Sequence, residues 1–189
     1  MSIQLPLGGH SFSVDAIPAE AVADDRQVEF RVITPRTLLV PREQFDDAGC
    51  EAYLRVAGMP PLAGETAIAS DTAEQTVAVM AIDSDCLAAI RGRFGARAVF
   101  TTPLLDIQKY ASPTVWLHRI DDILYVKVYN TTLRLAEAVT VTSDADTVML
   151  MHDLDAVFGF GGYAIRCHGE QASSMRKLLS KYYSDVRCE

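Results

Sequence analysis

No apolar run in this chain of 189 residues approaches the roughly 20 that a membrane-spanning helix requires, so no membrane insertion is expected. Basic residues are few: 17 Lys and Arg stand against 25 Asp and Glu, a formal net charge of -8. No Lys/Arg stripe gathers to neutralise phosphates, which argues against a nucleic-acid partner. Cys50, Cys86, Cys167 and Cys188 lie far apart without a C-x-x-C pair, which excludes a zinc knuckle or a thioredoxin-type dithiol. Free thiols in a reducing compartment are the expectation. The residues after Met1 lack the basic start and apolar core of a secretory signal, so a cytoplasmic location is expected. Glycine is missing altogether between Gly95 and Gly159. A backbone without glycine there does not easily approach a phosphate.

The chain does have apolar side chains, 49% of its residues, enough for a sizeable core. "LPLGGHSFSV", Leu5 to Val14, reads as two short strands around Gly8-Gly9, a dipeptide suited to a two-residue hairpin. Strands are expected over Val28–Ile33 and Thr37–Val40, with a helix opening at Pro41 and burying Phe45, Ala48, Ala52, Tyr53 and Val56. Thr66–Ser70 and Thr76–Ile82 read as strands, followed by a helix capped by Ser84 with Leu87, Ile90 and Phe94 inward. Ala96–Thr101 is a further strand, and 104–113 is a connector with proline near both ends.

From Thr114 a three-strand meander is expected: Val115–Ile120, a turn at Asp121-Asp122, Ile123–Tyr129 and Leu133–Val141. Ser143 with Asp146 reads as a capping-box variant opening a helix that buries Leu150, Met151, Leu154, Val157 and Phe158. Tyr163–Cys167 is a buried-type strand, and Gln171–Val186 an amphipathic helix with Met175, Leu178, Leu179, Tyr182 and Val186 on one face. Both parts thus read as three strands, helix, strand, helix. The fold class implied is α/β, a duplicated βββαβα (ribonuclease-H-like) unit with halves 1–103 and 114–189 facing each other across a cleft.

The chain also resembles an uncharacterised bacterial family, a domain of unknown function with an actin-like ATPase fold. The resemblance rests on residues 2–14, on Thr34-Pro35-Arg36-Thr37-Leu38-Leu39-Val40-Pro41 and on the paired strands from Val115. It implies a cleft lined by Gly8, Gly9, His10, Asp121, Asp122, His168 and Gly169. Catalytic members of the wider fold carry Asp-x-Gly at the first hairpin, where the carboxylate holds Mg²⁺ and glycine lets backbone N–H groups reach phosphate. Here Pro6 and Leu7 precede the glycines, the matching second turn is Asp121-Asp122 without glycine, and one glycine, Gly169, stands where an adenosine-binding pair is usual.

The expectation is therefore a non-catalytic binding or scaffold protein with degenerate nucleotide motifs, no metal and no cofactor, whose partner is a protein or another copy of itself. The alternative is a divergent ATPase or phosphotransferase using Asp121 or Asp122 for Mg²⁺, with Gly9 and Gly169 near the nucleotide. Three other clusters carry chemistry-bearing side chains. Asp121, Asp122 and nearby His118 form a candidate metal rim, although a polar turn explains the aspartates better. His152, Asp153 and Asp155 fit a solvated helix face. Cys167-His168-x-Glu170 offers a thiol, an imidazole and a carboxylate near the expected cleft. Finally, Tyr125 and Tyr129, on one face of a strand with Ile123 and Lys127, are candidate anchors for a protein partner, unless that face is covered by the chain itself.

Overall fold

The computed structural model describes residues 2–6, 26–71, 75–106, 108 and 110–189. They fall into two compact units, residues 1–106 and 107–189. Gly8, Gly9, His10 and the return strand of the expected hairpin lie outside the described residues.

In the first unit, β1 (Ser2–Pro6), β2 (Val28–Ile33) and β6 (Ala98–Thr101) form a parallel sheet in the order β1-β2-β6. A separate antiparallel sheet takes the order β3-β5-β4, from β3 (Thr37–Pro41), β4 (Glu65–Ala69) and β5 (Thr76–Asp83). The described strands of this unit are therefore split between two sheets, a departure from the simple three-strand order expected. The split occurs at Thr34-Pro35-Arg36. There the Thr37 hydroxyl donates to the Thr34 carbonyl at 3.0 Å, and Arg36 makes a two-pronged pair with Glu65.

Strand β5 is buried on both faces, which is why it reads as a near-continuous apolar run. Ala78, Met80 and Ile82 share a core with Val28, Phe30 and Phe100 and with Leu87, Ile90 and Phe94 of helix α2 (Ser84–Phe94). Val79 and Ala81 face the other way, onto Leu54 of helix α1 (Cys50–Val56). Two starts differ from expectation. The segment after Pro41 makes short 3-10 turns at Arg42–Gln44 and Asp47–Gly49 before α1, because Asp46 accepts the Ala48 N–H and Tyr53 bridges back to Gln44 and Asp46. Val56 is consequently 90% exposed. The cap of α2 is Asp83, accepting from the Cys86 N–H at 2.7 Å, one residue before the Ser84 expected.

The second unit is a single five-stranded sheet, β11-β10-β7-β8-β9. Strands β7 (Thr114–Ile120), β8 (Ile123–Asn130) and β9 (Thr132–Thr140) form the antiparallel meander, and β10 (Ala164–His168) and β11 (Val186–Cys188) extend it in parallel from β7. Helices α3 (Asp144–Phe158) and α4 (Ala172–Leu179) bury Met151, Leu154, Ala172, Met175 and Leu179 against Val115, Leu117, Leu124, Val126, Val128, Ile165 and Cys167. The capping box forms as expected: Ser143 accepts the Asp146 N–H while Asp146 accepts the Ser143 N–H. Helix α4, however, stops at Leu179, and Val186 lies in β11 opposite Ile165. Tyr182 and Val157, expected inward, are exposed. Among the described residues no helix is long and apolar enough to cross a membrane.

Candidate functional site

Alternation along a strand sends neighbouring side chains to opposite faces. Val115, Leu117 and Cys167 face the helices, so Trp116 and His118 of β7, Tyr125, Lys127 and Tyr129 of β8, and Arg166 and His168 of β10 share the other face. Register arranges them in two rows. Arg166 lies beside Trp116, which lies beside Lys127; His168 lies beside His118, which lies beside Tyr125.

The rows are bound by rings and charges. The Lys127 ammonium sits 4.0 Å from the Trp116 ring centroid, and both residues are buried, Lys127 at 1% exposure. A desolvated cation over indole gains on the order of 2 kcal/mol. The His168 and His118 rings lie 5.4 Å and 5.7 Å from that indole. His168 Nε2 is 3.5 Å from a Glu189 carboxylate oxygen and 3.4 Å from the Tyr110 hydroxyl. Burial first, then the neighbouring Glu189 and Tyr129, push the Tyr110 phenol far above its ordinary range, so it stays a neutral hydroxyl. Arg166 binds Glu189 at 2.9 Å and Asp185 at 3.3 Å, and its hydrogen bond is the main reason the Asp185 carboxyl is held below its usual range.

Gly169 closes the group. Its φ is +80°, and a Cβ built there would stand 2.4 Å from His118 Nε2. Only glycine leaves room for the His118 ring.

The structure thus brings His168 and Gly169 together with His118, a residue the sequence pairs instead with Asp121 and Asp122. Those two aspartates occupy the two-residue turn between β7 and β8, Asp121 in a left-handed conformation with φ +52°. Its carbonyl accepts from Arg119 at 3.0 Å, and the Asp122 carbonyl accepts the Val141 N–H. Cys167 and His168 point to opposite faces of β10, and burial raises the Cys167 thiol to about 12. The Cys-His nucleophile therefore does not assemble: the thiol sits in the helix-facing core. Tyr125 is fully buried and offers no surface to a partner, while Tyr129 is half-buried with its ring 5.4 Å from Tyr110. His152 meets the Tyr182 ring edge-on at 5.8 Å on the helical side. Among the described residues no three His, Cys, Asp or Glu side chains converge as metal ligands. The partnership of His118 with His168, fifty residues on, had one weak sequence signal: each follows an apolar strand residue, Leu117 or Cys167.

No family model matches the sequence, and no curated protein is similar to it in sequence. Among solved structures, the chain is similar to a Bacteroides thetaiotaomicron protein described as having an actin-like ATPase fold and unknown function. That match has a TM-score of 0.71 and 13% identity, covering 86% of this chain and 68% of the other. The cytoplasmic domain of EpsL, an inner-membrane component of the type II secretion system of Vibrio cholerae, aligns at a TM-score of 0.47 with 16% identity, over 88% of this chain and 80% of that one. The second alignment is too loose to support an argument. The first, joined to the α/β architecture above, is a likeness of fold: the chain has the actin-like ATPase fold.

Proposed function

We propose that this protein is a non-catalytic binding or scaffold protein built on an actin-like ATPase fold, with a protein as its partner. The observation that carries the reading is the seating of His118 against Gly169. A phosphate-binding glycine lets the ligand come close to the backbone where a side chain would otherwise stand; here an imidazole takes that place. The turn between β7 and β8 supports the same reading. It presents two adjacent carboxylates, which repel phosphate unless a cation intervenes. Four free cysteines suit a reducing, cytoplasmic setting.

Thermal shift and calorimetric titration with Mg-ATP test the proposal. Ligand present at 100 times its Kd stabilises a protein by about 2.7 kcal/mol, and none of that stabilisation is expected here, nor phosphate release above the buffer background. Micromolar Mg-ATP affinity that disappears in Asp121→Ala or Asp122→Ala overturns the proposal in favour of a divergent ATPase or phosphotransferase.

A further inference from the structure

A groove of about 620 Å³ in the first unit is lined by six consecutive residues, 66–71, together with Arg42, Asp47, Cys50, Leu87 and Arg91. Four consecutive residues of one strand, 66–69 of β4, come from both its faces and place the groove along its edge. Among the described strands β4 is an edge strand, in the order β3-β5-β4. Arg42, Asp47 and Cys50 come from the segment leading into α1, on one side of the sheet; Leu87 and Arg91 come from α2, on the other.

The hydrogen-bond phase of this edge is fixed. The Ser70 N–H donates to the Ala78 carbonyl at 2.8 Å, toward β5. Antiparallel pairing alternates, so Ile68 and Thr66 also bond inward, while the N–H and C=O of Ala67 and Ala69 point into the groove. Two bonds agree with this phase. The Asp71 N–H turns away from β5 to the Phe100 carbonyl at 3.2 Å, and the Ala81 N–H, opposite Ala67, bonds across to Arg36 on the β3 side. Charge adds a direction. The Asp71 carboxylate is occupied by the Phe100 N–H at 2.9 Å, and Asp47 offsets Arg42 on the α1 side. On the α2 side Arg91 is exposed beside apolar Leu87, with no ion pair among the described residues.

We propose that β4 is a docking edge for an extended peptide segment that adds as a further strand, its backbone pairing with Ala67 and Ala69 and an acidic side chain meeting Arg91. Main-chain bonds then supply affinity, and Arg91 supplies selectivity. The groove lies within residues 1–106, so this assignment and the nucleotide reading of the second unit fail independently.

The test uses the full chain and a fluorescein-labelled octapeptide of alternating threonine and glutamate, followed by anisotropy. Strict alternation puts every glutamate on one face of the added strand. Saturable binding is expected, with none for the threonine-lysine analogue. Arg91→Glu should weaken it by at least about tenfold, and more than Arg42→Glu, since the docked acid faces Arg91. Ala69→Pro removes only an outward N–H, a change that edge strands tolerate, and should abolish binding while the circular dichroism melt holds. If that variant unfolds, amide exchange in the unaltered protein decides: the Ala67 and Ala69 N–H groups must slow on peptide addition. Absent binding, unchanged exchange at both alanines, or equal displacement by single-stranded DNA of matched charge overturns the proposal.

Discussion

The two units solve one problem in different ways. Residues 114–188 build one sheet in which strands adjacent in sequence are largely adjacent in space, with both helices on a single face. The first unit interrupts its parallel sheet after β2, builds a second sheet from β3, β4 and β5, and returns to the first with β6. The second unit places its polar ring cluster on the sheet face away from its helices. The first keeps a shared apolar core between its sheets and leaves a strand edge lined by arginine. The contrast teaches that local pattern specifies a strand, whereas a three-residue corner, Thr34-Pro35-Arg36, decides which sheet it joins.

Removing what joins the two sheets of the first unit should have the largest effect. Phe30 lies at the centre of that core, with Phe94 and Phe100 rings at 5.2 Å and 5.9 Å. Phe30→Ala should cost about 3–5 kcal/mol in urea unfolding followed by circular dichroism. A loss below about 1 kcal/mol, the size of a mild core change, means the shared core does not hold the sheets. The counterpart in the second unit, Leu124→Ala, should cost about 2–5 kcal/mol, read through the fluorescence of the lone tryptophan.

Glycines of the two units differ in what surrounds them. Gly64 and Gly169 both have positive φ, +86° and +80°, but a Cβ at Gly64 meets nothing within 4 Å while one at Gly169 meets the His118 ring. Gly64→Ala should cost only the left-handed strain, about 1–2 kcal/mol. Gly169→Ala should exceed it by roughly 1–2 kcal/mol of overpacking, and adding His118→Ala should return the excess. No difference between the two alanine variants means the imidazole does not fill that space.

Helix caps give a smaller effect. Ser143→Ala and Asp83→Ala should each cost about 1 kcal/mol, by loss of an N-cap acceptor. Hydrogen bonds from Thr142 and Ser143 hold the folded Asp146 carboxyl below its ordinary value. Its contribution is present above the unfolded carboxylate range and is lost as pH falls through the depressed folded value. Asp146→Asn should therefore flatten the acid limb of the stability profile, and an unchanged limb refutes that link.

The smallest effect is kinetic. Burial raises Cys86 to about 11 and Cys167 to about 12, whereas Cys188 is exposed. Alkylation at mildly alkaline pH should modify Cys188 first and Cys86 and Cys167 last, as peptide mass mapping would record. Early loss of Cys167 would contradict its place in the core.

Sequence carried the second unit further than the first. Alternation from Val115 to Tyr129 and the Ser143/Asp146 box are local signals, and both formed. Strand β11 was hidden because Val186 continues the helical spacing of Leu179 and Tyr182, and only its pairing with Ile165, a non-local contact, makes it a strand. The start of α1 was missed because the Tyr53 hydroxyl reaches back to Gln44 and Asp46 and holds the chain in two short turns. The candidate site depended on distance in sequence. Asp121, Asp122, His168 and Gly169 were picked out from turn and motif patterns. The meeting of His118 with His168 and Gly169 needed the parallel pairing of β7 with β10.

Trp116 gives the second unit a built-in optical reporter. Being the chain's lone tryptophan and fully buried, it should emit at shorter wavelength than an indole in water. Two imidazoles and the Lys127 ammonium stand within 6 Å of its ring centre. Unfolding should expose the ring to water and shift this emission to the red. One cuvette measurement thus reports, from within the second unit alone, the loss of the sheet that holds the indole.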